Sequence, residues 1–172
     1  LLREARRQKN VDNCKVPDVC VLDPDGDLVD YLIRTNQATI NECWACYHTK
    51  LYNVKQNDFD FAVLGCAVGS SFAVLIAEQL FVSGCKTLIS VTSAGIINPA
   101  KNQSKFVLIE QALRDEGTSY HYISPSETSH INPILFDTLL SYYNTTDLSI
   151  EPGISWTTDA PYRETQAAIV EA

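Results

Sequence analysis

The sequence has no methionine among its 172 residues. Residue 1 is therefore not an initiator, and the chain reads as a piece of a longer protein. It has no apolar run near the roughly 18 residues that a membrane span needs. It is poor in positive charge, with 13 Lys and Arg against 21 Asp and Glu. That balance argues against a general nucleic-acid binder, whose affinity comes mostly from Lys and Arg on phosphates. Disorder is excluded by a hydrophobic content of 45%. There is no second C-x-x-C, no Gly-Lys-Ser/Thr of a phosphate-binding P-loop and no three-glycine dinucleotide fingerprint. No repeat and no signal peptide is visible.

Six cysteines are present, too few to mark a disulfide scaffold. Cys20, Cys66 and Cys85 sit in or beside apolar runs and read as small buried hydrophobes. Cys43 and Cys46, with His48 nearby, lack the partners of a metal or redox site, and ordinary packing is the favoured reading. Asn102-Gln103-Ser104 and Asn144-Thr145-Thr146 fit a glycosylation pattern that a cytoplasmic chain would not use, and a cytoplasmic location is expected.

Residues 1–10 predict a charged helix or arm. Val16 to Leu22 predicts a strand ending in the turn Asp23-Pro24-Asp25-Gly26. Asp27 to Arg34 predicts a helix with Leu28, Tyr31 and Leu32 on one apolar face. Phe59 to Cys66 predicts a buried strand, and Phe72 to Val82 a helix capped by Ser70 or Ser71 and ended by Gly84. Lys86 to Val91 is the next strand. Residues 59–95 thus form a strand–helix–strand unit of a parallel α/β sheet. Ligands of such sheets bind beyond the carboxyl ends of the strands. Further strands are expected at Phe106 to Leu113, interrupted by Glu110 and Gln111, and at Gly153 to Thr158. Helices are expected at Ile134 to Tyr143, behind Asn132-Pro133, and from Thr165.

Four segments could carry chemistry. The turn from Gly65 to Ser71, which includes Gly69, can cradle an anion on free backbone N–H groups or simply start a helix. Thr92, Ser93 and Gly95 suit an oxyanion or a sugar hydroxyl, or else a capped turn. Arg114 to Tyr122 is dense in polar groups. There His121 can act as a proton donor, a ligand contact or a structural hydrogen-bonder, and Arg114 can pair with Asp115 or Glu116. In Trp156 to Thr165, Tyr162 can stack on a flat ring and Arg163 can reach a base carbonyl, or Asp159 and Thr158 can cap a helix.

Taken in order, Gly65 to Gly95, Arg114 to Tyr122 and Trp156 to Thr165 resemble the purine/uridine nucleoside phosphorylase family, nearest its uridine phosphorylase-like branch. The resemblance covers the chain from about Val16 to its end. It implies a three-layer α/β fold with a mixed central β-sheet, partly barrel-like, flanked by helices. The whole chain would be one such domain, truncated at its C-terminus. It implies a pentosyltransferase that uses inorganic phosphate as co-substrate, with no cofactor and no metal, giving free base and ribose 1-phosphate. A dimer-based homo-oligomer is expected, with no nucleic-acid or membrane partner. Carried over residue by residue, it puts Ser93 and Gly95 on the ribose, Tyr162 and Arg163 on the base with Asp159 and His121 nearby, and Ser93, Gly69 and His48 near phosphate.

The departures are specific. The family's Gly-Asp-Pro-x-Arg reads Leu22-Asp23-Pro24-Asp25-Gly26, so the phosphate-contacting Gly and Arg are missing. A second phosphate Arg is replaced by Ser90. The family's ribose-binding Met-Glu pair would fall beyond Ala172. Each Arg–phosphate bond is worth roughly 1.5–3 kcal/mol. Two or three such losses leave room for two alternatives, a phosphate-independent nucleoside hydrolase and a non-catalytic nucleoside-binding homologue.

Overall fold

The computed structural model describes residues 2–11, 14–97 and 106–171. They fall into two compact units, Leu1–Ala94 and Gly95–Ala172. The Asn102-Gln103-Ser104 pattern lies outside the described residues. Among the described residues no helix is long and apolar enough to cross a membrane.

In the first unit, β1 (Val19–Asp23), β2 (Ala38–Ile40), β3 (Tyr52–Gln56), β4 (Phe59–Gly65) and β5 (Thr87–Ser90) form one mixed sheet in the order β2-β3-β4-β1-β5. β1 runs parallel to both β4 and β5, while β2 and β3 are antiparallel additions at the other side. The expected strand–helix–strand unit is present, but its two strands are not neighbours. α3 (Ser70–Val82) carries the chain over β1, which lies between them.

Both faces of this sheet are covered, as parallel strands require. Cys20, Leu22, Ala62 and Leu64 point to one side and meet Ile76 and Leu80 of α3. Val63 and Val54 point to the other and meet Val29 and Leu32 of α2 (Asp27–Arg34). The result is a helix–sheet–helix sandwich, the α/β class expected. The buried face of α2 differs from expectation: Val29 and Leu32 are buried, whereas Leu28 and Tyr31 are exposed. Asp23 Oδ2 accepts the Val29 N–H at 3.0 Å, and that bond helps hold Val29 against the sheet.

α3 starts at Gly69 without a side-chain cap, contrary to the expected use of Ser70 or Ser71. Gly84, with φ +117°, takes the backbone conformation expected of it. Cys20 and Cys85 are buried, and burial pushes the Cys20 thiol up, with Cys85 adding to the shift. Cys66 is exposed rather than buried. It follows the last residue of β4 with φ +62°, which breaks the strand alternation.

The Cys43-x-x-Cys46 pair is not a unit. Cys43 is bonded to Cys14 with their Cα atoms 5.5 Å apart, and Cys46 is a buried free thiol. That disulfide, a bond from Tyr47 Oη to Gln8 Oε1 at 2.9 Å and one from Lys9 Nζ to the Cys46 carbonyl fasten α1 (Leu2–Lys9) to residues 43–47. Ala5 is buried beneath it.

The second unit has a three-stranded sheet in the order β7-β6-β8. β6 (Phe106–Asp115) pairs in parallel with β8 (Ile150–Thr158), and β7 (Thr128–His130) runs antiparallel on its other side. The expected interruption at Glu110 and Gln111 is a register shift between Ile109 and Gln111, which the strand continues past. A Cβ on Gly153 would lie 2.4 Å from Val107 Cγ1, so a larger residue there would force the Val107 side chain to shift. The helix expected behind Asn132-Pro133 is α4 (Pro133–Tyr143), and Asn132 caps it: its Oδ1 accepts from the N–H groups of Ile134 and Leu135. α5 spans Gln166–Glu171.

Candidate functional site

Because β1, β4 and β5 are parallel, their carboxyl ends share one edge of the first sheet. Asp23, Gly65 and Ser90 close the three strands there. The Asp23 carbonyl accepts from Gly26 N at 3.1 Å and from Cys66 N at 3.0 Å, tying the β1 turn to the end of β4. Val91 N donates to the Leu22 carbonyl at 2.9 Å, tying the end of β5 to β1. The turn is tight. Gly26 has φ +87°, and a Cβ there would lie 2.8 Å from Cys66 Sγ.

Asp25 stands on this edge and is exposed. Its Oδ2 accepts the Ser93 N–H at 2.6 Å and the Thr92 hydroxyl at 3.3 Å. The Ser93 backbone bond is the chief reason that the Asp25 carboxyl is held below the usual aspartate range. Ser93, expected to meet phosphate and ribose, is thus already partnered through its amide. Gly69, at the start of α3, has φ +88° and open space where a Cβ would be. His48 is exposed and lies edge-on to Phe72 of α3, with ring centroids 6.5 Å apart. Gly95 opens the second unit in an exposed irregular stretch.

The second unit has an edge of the same kind. β6 ends at Asp115 directly opposite Thr158, the end of β8. Asp159 Oδ2 accepts the Gly117 N–H at 2.7 Å, so it joins the β8 end to the loop that follows β6. Glu116 accepts from the N–H groups of Thr118 and Ser119 and shapes the short turn Ser119–His121. Asp115 accepts from Trp156 Nε1 at 3.1 Å.

Arg114 does not pair with either neighbouring acid, as one reading expected. It is buried, donates to Ser119 Oγ at 2.8 Å, the Ser124 carbonyl at 2.7 Å and Ser126 Oγ at 2.8 Å, and stacks on the Tyr120 ring. Its role is to fold the loop. His121 lies exposed in the Ser119–His121 turn; Tyr162 and Arg163 lie exposed in the turn Pro161–Arg163. Four of the expected substrate residues, His121, Asp159, Tyr162 and Arg163, therefore follow the carboxyl ends of β6 and β8.

The residue that sequence reasoning passed over is Asp25. The signal was there: an acid stands directly before the position where the family has Arg.

A family model described as the phosphorylase superfamily matches residues 18–171. The chain belongs to the phosphorylase superfamily. Solved superfamily structures share its fold. Uridine phosphorylase from Vibrio fischeri ES114 aligns with a TM-score of 0.74 at 18% identity, over 95% of this chain and 68% of that one. A Plasmodium knowlesi homologue of the P. falciparum PNP aligns at 0.70 and 18% identity, over 91% and 64%. Purine nucleoside phosphorylase from Toxoplasma gondii, in complex with immucillin-H, aligns at 0.69 and 15% identity, over 92% and 64%. An uncharacterized protein, R802, of Acanthamoeba polyphaga mimivirus is 31% identical over 112 residues. That match spans 65% of this chain and 42% of the viral protein, so the chain covers less than half the length of its curated relative.

Proposed function

We propose that this superfamily chain belongs to an enzyme that breaks the N-glycosidic bond of a nucleoside. One observation carries the reading: each family-like segment follows the carboxyl end of a parallel strand. Thr92 to Gly95 follow β5, Arg114 to Tyr122 run from the end of β6, and Asp159 to Thr165 follow β8. Ligands of α/β sheets bind at such ends. In this reading Ser93 and Gly95 serve the ribose. Tyr162 stacks on the base, and Arg163 stabilises charge on the departing ring, with Asp159 and His121 contributing there. A transition state with positive charge on the ribose would be favoured beside carboxylates. Were phosphate admitted, as in the parent reaction of phosphorolysis, Gly69, His48 and Ser93 would face it. A dimer-based homo-oligomer that needs no cofactor completes the proposal; the Cys14–Cys43 disulfide speaks against the expected cytoplasmic location.

A second reading, hydrolysis with water in place of phosphate, is favoured by the Asp25–Ser93 contact and by Gly26 and Ser90 where the family carries arginines. Purine and pyrimidine nucleosides incubated with the protein, with and without inorganic phosphate, separate the cases by chromatography of the free base. Phosphorolysis predicts release that requires phosphate. Hydrolysis predicts release that ignores it. Nucleoside binding by calorimetry with no release would leave a binding homologue instead.

A further inference from the structure

We infer that Asp25 is a specificity determinant that keeps inorganic phosphate out of the first unit's strand-end edge, by filling with its own carboxylate the donors that a phosphate oxygen would use. The chief donor is the Ser93 N–H, 2.6 Å from Asp25 Oδ2; the single Thr92 hydroxyl proton is shared between Asp25 Oδ2 at 3.3 Å and the Ser93 carbonyl at 3.2 Å. An N–H that donates to a carboxylate at 2.6 Å has no good geometry left for a second acceptor. The carboxylate is tethered two residues from the end of β1, so it competes as an intramolecular ligand at high effective concentration.

The surroundings work in the same direction. The segments that build the edge are 22–27, 65–71 and 90–94. They contain Asp23, Asp25 and Asp27 but no Lys, Arg or His. An incoming phosphate would have to displace the Asp25 carboxylate with no cation in those segments to attract it. Neutral water or a sugar hydroxyl meets no such opposition and finds acceptors there. An aspartate is ionised throughout the neutral range, and the Ser93 bond pushes the Asp25 carboxyl further in that direction.

The inference rests on the nucleoside-cleaving reading only for what phosphate would do once bound; the exclusion itself is measured without a nucleoside. Inorganic phosphate is titrated into the wild-type protein, D25N and D25A at constant ionic strength. Calorimetry gives the affinity, and the Ser93 amide resonance in proton–nitrogen NMR gives the place. D25N keeps the shape and removes the charge, while D25A also frees the Ser93 N–H. Both changes are at an exposed side chain, and a melting curve matching wild type checks that the fold is kept.

The expected result is no saturable phosphate binding by wild type. D25A should gain binding about tenfold tighter or more, the worth of one charge-assisted hydrogen bond, with the Ser93 amide shifting on titration. D25N should fall between. Wild-type binding as tight as that of the variants would overturn the inference. So would variants that bind no better than wild type, because the absent arginines alone would then account for the exclusion. Absence of base release from any nucleoside would count against the proposed function and leave this result standing.

Discussion

In the first unit, Leu64, Ile76 and Leu80 are fully buried between a five-stranded sheet and α3. In the second, Ile134, Leu135 and Ile154 are exposed, and the buried residues include a charged Arg114. Among the described residues every buried apolar side chain except Phe136 lies in the first unit. The second is laced instead by side chains bonding to backbone: Arg114 to 124, Glu116 to 118 and 119, Asp159 to 117. One unit gains its order from hidden surface, which is undirected. The other gains it from hydrogen bonds, which fix loop geometry but each contribute little net stability. Loops shaped in that way suit the presentation of exposed groups such as His121, Tyr162 and Arg163.

This contrast can be broken by experiment. Ile76→Ala should cost about 4 kcal/mol, because a fully buried side chain leaves a cavity. Leu135→Ala, at a half-exposed position of α4, should cost under about 1 kcal/mol. Urea unfolding followed by fluorescence measures both, and equal losses would remove the distinction. Next in size, Cys14→Ser should cost roughly 3 kcal/mol through the 29-residue separation that the disulfide closes. Hydrogen exchange should speed up in α1 and leave the 115–127 loop unchanged. Peptide mapping without reductant should recover Cys14 joined to Cys43.

Arg114→Met should cost about 2 kcal/mol by leaving the acceptors of Ser119, Ser124 and Ser126 without their donor. Arg114→Lys should restore part of it, since a single ammonium cannot reproduce the fork. Here hydrogen exchange should rise across residues 115–127 and stay unchanged in the first sheet. The smallest effect concerns acid. The Asp25 carboxyl is depressed, so its bond to Ser93 is fully present above the ordinary aspartate value and is lost as pH falls through the lower, folded value. The Ser93 amide shift should stay constant from neutral pH down through the usual aspartate range and move only below it. A midpoint at the usual aspartate value would contradict the contact.

Much of the first unit could be read from residues alone. The apolar run ending at Cys66 and the apolar segment after Ser71 announce β4 and α3, because a buried strand and helix need continuous hydrophobic sequence. Asn132-Pro133 announces the start of α4 for an equally local reason. β2 and β7, each three residues long, and β3 carry too little pattern to stand out. The insertion of β1 between β4 and β5 is a matter of pairing, which no local signal encodes. Cysteine spacing drew attention to Cys46, yet the partner of Cys43 is Cys14, chosen by the docking of α1. At the candidate site, the segments were legible and their internal bonding was not. Arg114 beside two acids suggests an ion pair, and the fold instead turns it inward to serines.

The register shift at Glu110 is a phase change in β6. Side chains of a strand alternate between faces, so one additional residue exchanges the faces for everything after it. Arg114 is placed for its loop partners by that count as much as by its own chemistry. Replacing Glu110 would leave the count unchanged. Deleting it would rotate Gln111 through Asp115 half a turn against β8 and direct the Arg114 guanidinium away from Ser119, Ser124 and Ser126. In this strand the number of residues is thus as much a determinant of structure as their identity.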